Sequence, residues 1–447
     1  MSDLVNTAEP AKRKINETGN RGSGETGSSQ RSGSPVHRFS GSTAHPGFYQ
    51  RHVMKVLKEL RQGLIQVTLP QGTKMAWGDT TSTIRAEIRI KSPNFFKRCF
   101  LYGDIGFGES YTAGEWETDD LTALISWMIL NVESHPTMTG SRRQKSPVNW
   151  LAALNRFIHR LRSNSMSGSR KNIEDHYDLS NEFFAQFLDS TMSYSCAVFE
   201  TGNESLEEAQ RLKFEKICQK LRLQPSDHVL EIGSGWGALA IHMARNYGCR
   251  VTTITISQKQ LDYARRKIKE AGLEGRIDIR LQDYRTLTGR FDKLVSVEML
   301  EAVGHEFLKP YFAKCHELLK PHGIVVLQVI TCADHRYDQL RRSVDWIQKH
   351  IFPGSLLPSV GAIHRAVNAT GDMILHDLEN MTPHYVRTLS AWRDRFDDRQ
   401  EKIRTLGFNE AFVRKWRYYF GYCEAAFAMR NINALQMVYT RPNNRLL

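Results

Sequence analysis

The chain lacks any run of roughly 18 apolar residues, the length a helix needs to cross a bilayer, so no transmembrane helix is expected. Its opening residues, MSDLVNTAEPAKRKINETG, lack the apolar stretch of a secretory signal. Cysteine is sparse. Cys99, Cys196, Cys218, Cys249, Cys315, Cys332 and Cys423 form no C-x-x-C pair, which supports neither a disulfide framework nor a metal site and fits a cytoplasmic protein. Acid is short as well: 48 Asp and Glu against 61 Lys and Arg leave a net charge of +13. That balance points to anionic partners, either nucleic acid or an anionic membrane surface. No RNA-binding signature with interleaved aromatics occurs, so nucleic acid is not expected as a partner.

What is present reads as a globular protein of two or three domains, with 447 residues, 40% hydrophobic and 24% charged. Residues 1–45 are rich in Ser, Gly, Thr and charge, cannot bury a core and are expected to be disordered. From 46 to 135 a small α+β domain is expected. FYQRHVMKVLKELRQG has helical period, LIQVTLP and TIRAEIRI alternate like strands, and DLTALISWMIL is helical again. Residues 136–170 read as a linker. Within it, NWLAALNRFIHRLRS (149–163) sets Trp150, Leu151, Leu154, Phe157, Ile158 and Leu161 against Arg156, His159, Arg160 and Arg162, a basic amphipathic helix. Such a helix suits a membrane surface, and equally suits packing on its own domain with a solvated basic face. From 171 onward HVLEIG, RVTTITIS, RIDIRLQD, KLVSVEML and GIVVLQVI alternate with helices, which predicts a doubly wound, mostly parallel α/β sheet. Helical segments interrupt the series over 333–400 before ALQMVYTRP resumes it.

The stretch HVLEIGSGWGALAIH (228–242) runs from a buried strand through Gly233, Gly235 and Gly237 into an apolar helix. A P-loop would need Gly-Lys-Ser/Thr, and here Ala238 and Leu239 follow Gly237. A dinucleotide site would need an acid after the next strand, which instead ends in Thr255, Ile256 and Ser257. Glu231, ahead of the first glycine, could meet a cationic amine. This favours S-adenosylmethionine, with an unliganded tight turn as the alternative.

The glycine loop and the alternation resemble a class I S-adenosylmethionine-dependent methyltransferase, with a Rossmann-like sheet. HYDLSNEFFAQFLDSTMSYSCAVF (176–199), VSVEMLEAVGHEFLKPYF (295–312), HIFPGSLLPS (350–359) and YYFGYCEAAFAMRNINALQMVYTR (418–441) narrow this to a resemblance to the cyclopropane-fatty-acyl-phospholipid synthase family. FFKRCFLYGDIGFGESYTAGEWETDDL (95–121) resembles that family's accessory domain. The resemblance implies transfer of a one-carbon unit to the cis double bond of unsaturated acyl chains in membrane phospholipids. The protein would be cytoplasmic and peripheral on the inner membrane surface, with a homodimer as the candidate assembly. It places Tyr194 and Ser195 beside the cofactor, Thr255, Ser257 and Gln260 at its ribose, and Gln282, Asp283 and Tyr284 near its adenine. Within YDLSNEFF, Asp178 or Ser180 could also simply cap a helix.

An isolated alkene is a weak nucleophile, so the methyl must be presented close and in line. Attack leaves a carbocation, which aromatic faces can stabilise, and a base must remove a proton from the new methyl to close the ring. In the family, bound bicarbonate is that base. The resemblance assigns its holders as Cys196, Glu301, Tyr385 and the backbone of Ile330. Two departures stand out: Ala302 and Gln328 replace family histidines. Glutamine donates and accepts hydrogen bonds but relays no proton, and His305 is the candidate to compensate. Cys423 matches a family active-site position, although the chemistry requires no thiol nucleophile. Tyr418, Tyr419 and Phe420 are candidates for the acyl tunnel or for core packing. The same carbocation could instead end as a methyl-branched chain, and an inactive membrane-surface binding protein is a third alternative.

Overall fold

The computed structural model describes residues 47–132 and 179–445. The 1–45 tail, the 136–170 linker and the basic helix expected at 149–163 lie outside those residues. Among the described residues no helix is long and apolar enough to cross a membrane.

Helix Phe48–Glu59 leads into β1 (Leu64–Thr68), β2 (Lys74–Gly78) and β3 (Arg85–Ile90). Helix Asn94–Thr112, β4 (Trp116–Glu117) and helix Leu121–Val132 follow. The sheet runs β2-β1-β3-β4, with β1 and β3 parallel and the other neighbours antiparallel. The strand alternation is the one expected: Ile65 and Val67 of β1 and Ala86, Ile88 and Ile90 of β3 point inward. Two elements go beyond the sequence reading. β2 is an edge strand with half-exposed side chains, so no alternation marks it. Helix Asn94–Thr112 is broken at Gly103 (φ +56), and glycines weaken any helical signal.

The second sheet has the order β10-β11-β9-β8-β5-β6-β7. β5 (His228–Ile232), β6 (Arg250–Thr255), β7 (Ile277–Leu281), β8 (Phe291–Val297) and β9 (Leu319–Cys332) are parallel. β11 (Ile432–Thr440) runs antiparallel between β9 and β10 (Ile374–Asn380). Helices cross between the strands, giving the doubly wound, Rossmann-like sheet that the alternation predicts. β10 corrects the helical expectation for 333–400. It is a charged, largely exposed edge strand paired on one side only, so it carries no buried period. The chain lays β5, β6 and β7 outward and then returns to β8 on the opposite side of β5. Ligands bind at such a reversal, beyond the C-terminal strand ends.

One apolar cluster joins the two layers. Trp116 and Trp127 share it with Phe183, Trp392 and Trp416. Helix Glu410–Ala428 packs on helices Leu121–Val132 and Asn94–Thr112 as well as on helix Thr382–Asp398. The approach is close: a Cβ on Gly421 would stand 2.9 Å from Leu121 Cβ. Arg414 of the same helix donates to the carbonyls of Tyr111 (2.6 Å) and Trp116 (2.8 Å).

Candidate active site

A cavity of about 410 Å³ opens beyond the C-terminal ends of β5, β6, β8 and β9. At one end, Gly233, Gly235 and Gly237 all have left-handed backbones (φ +97, +48 and +91). They do different things. A Cβ on Gly235 would meet nothing within 4 Å, because it would project into the cavity, whereas one on Gly237 would stand 2.9 Å from Ala264 Cβ. Gly237 thus serves helix packing, while Gly233 and Gly235 line the cavity. Glu231 lies buried in the same wall and accepts from Thr253 Oγ1 at 2.5 Å. Burial pushes its carboxyl up to about 8, against the Thr253 hydrogen bond and the charge of Lys213.

The other cofactor candidates divide in the same way. Tyr194, Ser195, Thr255, Gln260, Gln282, Asp283 and Tyr284 line the cavity. Thr255 Oγ1 donates to Gln260 Oε1 at 2.9 Å and so holds that side chain in place. Ser257 caps helix Gln258–Glu270, accepting from Gln260 N–H. Asp283 is held by Arg285 in a 2.6 Å ion pair. Ser180 caps Asn181–Phe184, as its position suggested; Asp178 lies outside the described residues. One residue the sequence reading passed over joins the group. Lys213 is buried, donates to Ser195 Oγ at 2.8 Å and is driven down to about 8 by burial. Its signal was a lysine on the buried stripe of helix Leu206–Leu221, with Leu206, Ala209 and Ile217.

In the middle of the cavity the expected anion holders converge, but on a side chain that the sequence reading did not single out. Cys196 N–H and Gln328 Nε2 each donate to Glu298 Oε1 at 2.8 Å, and Tyr385 OH donates to Glu298 Oε2 at 2.6 Å. Gln328 also donates to Cys196 O (3.1 Å) and accepts from Gln436 Nε2 (3.0 Å), so its amide is fixed on both sides. Burial raises the Glu298 carboxyl, opposed by the three donors and by Lys213. Glu298 has a left-handed backbone (φ +49), uncommon for a residue with a Cβ and a feature that gathers at functional sites. The backbone N–H of Ile330 goes to Glu301 Oε1, whose partner oxygen is buried with no hydrogen bond among the described residues. Burial, and then the Glu298 charge, push Glu301 up to about 8.

The bicarbonate expectation therefore does not fit these residues. Of the four intended holders, Cys196 N–H and Tyr385 OH already donate to Glu298 and Ile330 N–H to the fourth, Glu301, while Gln328, in place of the family histidine, also donates to Glu298. A further anion here would face two carboxyls without a donor of its own. Cys196 takes part through its backbone alone, its thiol turning to the carbonyls of Ala197 and Met381. His305 is held by Tyr337 OH at 2.7 Å and does not replace the missing histidine, while Ala302 lines the cavity.

The far end is aromatic and apolar. Tyr385 stacks on Phe427 at 4.3 Å, Tyr194 OH donates to Tyr419 OH at 3.0 Å, and Phe352, Leu356 and Leu357 complete the wall. Tyr419 lines the cavity, whereas Tyr418 packs against Phe107 and Trp346, and Phe420 against Phe187 and Phe396. Cys423 is in the wall, but burial and the charge of Asp345 push its thiol up, away from a thiolate nucleophile.

A glycine loop with a buried acid, joined to an apolar tunnel with a carboxylate at the junction, suits methyl transfer to a hydrophobic substrate. The sequence profile of the mycolic acid cyclopropane synthetase family matches residues 164–437. The chain belongs to this family. It is an S-adenosylmethionine-dependent methyltransferase of the cyclopropane synthase type. It is 38% identical over 386 residues to tuberculostearic acid methyltransferase UfaA1 of Mycobacterium tuberculosis, covering 82% of this chain and 87% of that one. It is also 38% identical over 359 residues to the cyclopropane-fatty-acyl-phospholipid synthase of Escherichia coli K12, covering 80% and 88%. Among solved structures, mycolic acid cyclopropane synthase CmaA1 complexed with SAH and CTAB superposes with a TM-score of 0.57 at 28% identity, covering 61% of this chain and 98% of that one.

Proposed function

We propose that this member of the family acts on unsaturated acyl chains of membrane phospholipids, converting a cis double bond into a cyclopropane. The observation that carries the reading is the continuity of the cavity, from Glu231 and Gly235 to Tyr419 and Leu357. The residues present fit S-adenosylmethionine: Glu231 is a buried acid for its ammonium, and Gly235 leaves open space where any side chain would intrude. When bound there, the cofactor supplies an electrophilic methyl.

The chain's own groups do the rest. Glu231, Ser195 and Gln260 orient the cofactor. The apolar wall excludes water from the alkene, and the faces of Tyr385, Phe427 and Tyr419 stand beside the developing cation. Residues 46–135 serve as the accessory lipid-binding domain, and the basic 149–163 segment holds the protein peripherally on the anionic cytoplasmic face of the membrane, as a homodimer.

The test is expression in a host lacking modified acyl chains, followed by mass spectrometry of its fatty acids. A product heavier by CH2 supports the reading, and no product in a strain producing folded protein overturns it. A saturated methyl-branched product is the second reading, favoured by the 38% identity to a tuberculostearic acid methyltransferase. It carries two further hydrogens and is separated in the same spectrum.

A further inference from the structure

We propose that Glu298 is the base of this reaction, a carboxylate built into the chain where an external anion would otherwise be held. The inference rests on the lipid reading above and deepens it.

Its grounds are geometric. Two donors to the Glu298 carboxylate, Cys196 N–H and Tyr385 OH, are groups expected to hold an anion, and the third, Gln328 Nε2, stands where the family has a histidine, all at 2.6 to 2.8 Å. A carboxylate has roughly four acceptor positions, so one stays open on a side chain that lines the cavity. Gln328 fits this arrangement better than an imidazole, because its amide donates to both Glu298 and Cys196 O and still accepts from Gln436, three bonds where a neutral imidazole has two ring nitrogens. The left-handed φ of +49 at Glu298 is accompanied by its own N–H donating to Gln328 O at 2.7 Å.

The step balances without a co-reactant. The alkene π pair forms the bond to the incoming methyl carbon, and the sulfur–methyl bond breaks with its electrons staying on sulfur. The acyl chain is left as a carbocation. Glu298 takes a proton from the new methyl, and the freed C–H pair closes the third side of the ring. The carboxylate becomes a carboxylic acid, which returns its proton to solvent when product leaves.

The experiment uses the full chain, vesicles of unsaturated phospholipid, and buffer scrubbed of carbon dioxide. Wild type is expected to turn over at the same rate with and without added bicarbonate. Glu298→Gln is expected to lose about 10²–10⁴-fold in turnover, the range for one positioned base, while calorimetry still registers cofactor binding. Glu298→Gly removes the carboxylate, suits the left-handed backbone and leaves the donors free. It is expected to be slow in scrubbed buffer and to recover activity with added bicarbonate. A wild type that slows tenfold on bicarbonate removal, or a Glu298→Gln variant with normal turnover, overturns the proposal while leaving the lipid reading intact. A wild type that binds cofactor yet makes no lipid product overturns the lipid reading itself. Should the variants not fold, carbon-13 NMR of labelled bicarbonate with wild type decides: no bound signal supports Glu298 as the base, and a bound signal refutes it.

Discussion

Gly235 combines two constraints that separate cleanly under substitution. Its φ of +48 disfavours any side chain, by about 1–2 kcal/mol for a residue forced left-handed. Its Cβ direction is nonetheless free of protein atoms within 4 Å. Gly235→Val is therefore expected to fold with a modest loss of thermal stability and to lose cofactor affinity by at least about tenfold, read by calorimetry. Unchanged affinity in a folded variant would remove the loop from the cofactor site. A second expectation comes from Glu231, which burial raises from 4.5 to about 8 without cofactor. The folded state then binds a proton that the unfolded state has released, so this group makes ligand-free stability fall as pH rises from about 4.5 toward 8. A cationic ligand favours the ionised carboxylate, so binding at pH 7 must expel the proton. Affinity is expected to rise between pH 6 and 8, by less than about tenfold per unit, and calorimetry in buffers of different ionisation enthalpy is expected to detect proton release at pH 7. Lys213, driven down to about 8, adds to the same trend, because it gains charge and repels a cationic ligand as pH falls.

At the scale of elements, β5 through β9 were legible because buried parallel strands are near-continuous apolar runs; β5 is buried at four of its five positions. β2 and β10 were not, since each pairs on one side only and its exposed face takes any polar residue. The site followed the same logic. The glycine loop and most cavity-lining candidates were readable as motifs on strand ends. Glu298 was not, because two acids three residues apart in VSVEMLEAVG look alike, and only the left-handed turn after β8 swings the first among donors from β9 and from two distant segments. The signal that could have found it was its position just past the C-terminal end of a parallel strand. The basic 149–163 segment supports an expectation at this scale. Replacing Arg156, Arg160 and Arg162 with Gln should weaken sedimentation with anionic vesicles and flatten its dependence on salt, while cofactor affinity stays unchanged. Sedimentation indifferent to both changes would assign that face to solvent.

Across the whole molecule, the first layer and the last helix share one core. Leu124 and Trp127, each at most 1% exposed, belong to helix Leu121–Val132, which packs against helix Glu410–Ala428. Residues 47–132 leave the ribosome well before the helix that covers them, Glu410–Ala428, is made. At about 5–20 residues per second, the nascent first layer waits many seconds with its tryptophan-bearing face uncovered. A fragment spanning residues 47–132 is expected to be insoluble on its own, and co-expression with residues 179–447 should rescue it in pull-down. A soluble, monomeric fragment with cooperative unfolding would show that the layer closes its own core. If it does not, the slow step in refolding the whole chain is the docking of partners some 300 residues apart in sequence, a long loop closure of the kind that slows folding. Assembly of this enzyme would then depend on holding chaperones while the ribosome finishes, and early termination anywhere before residue 410 would leave an aggregation-prone stub.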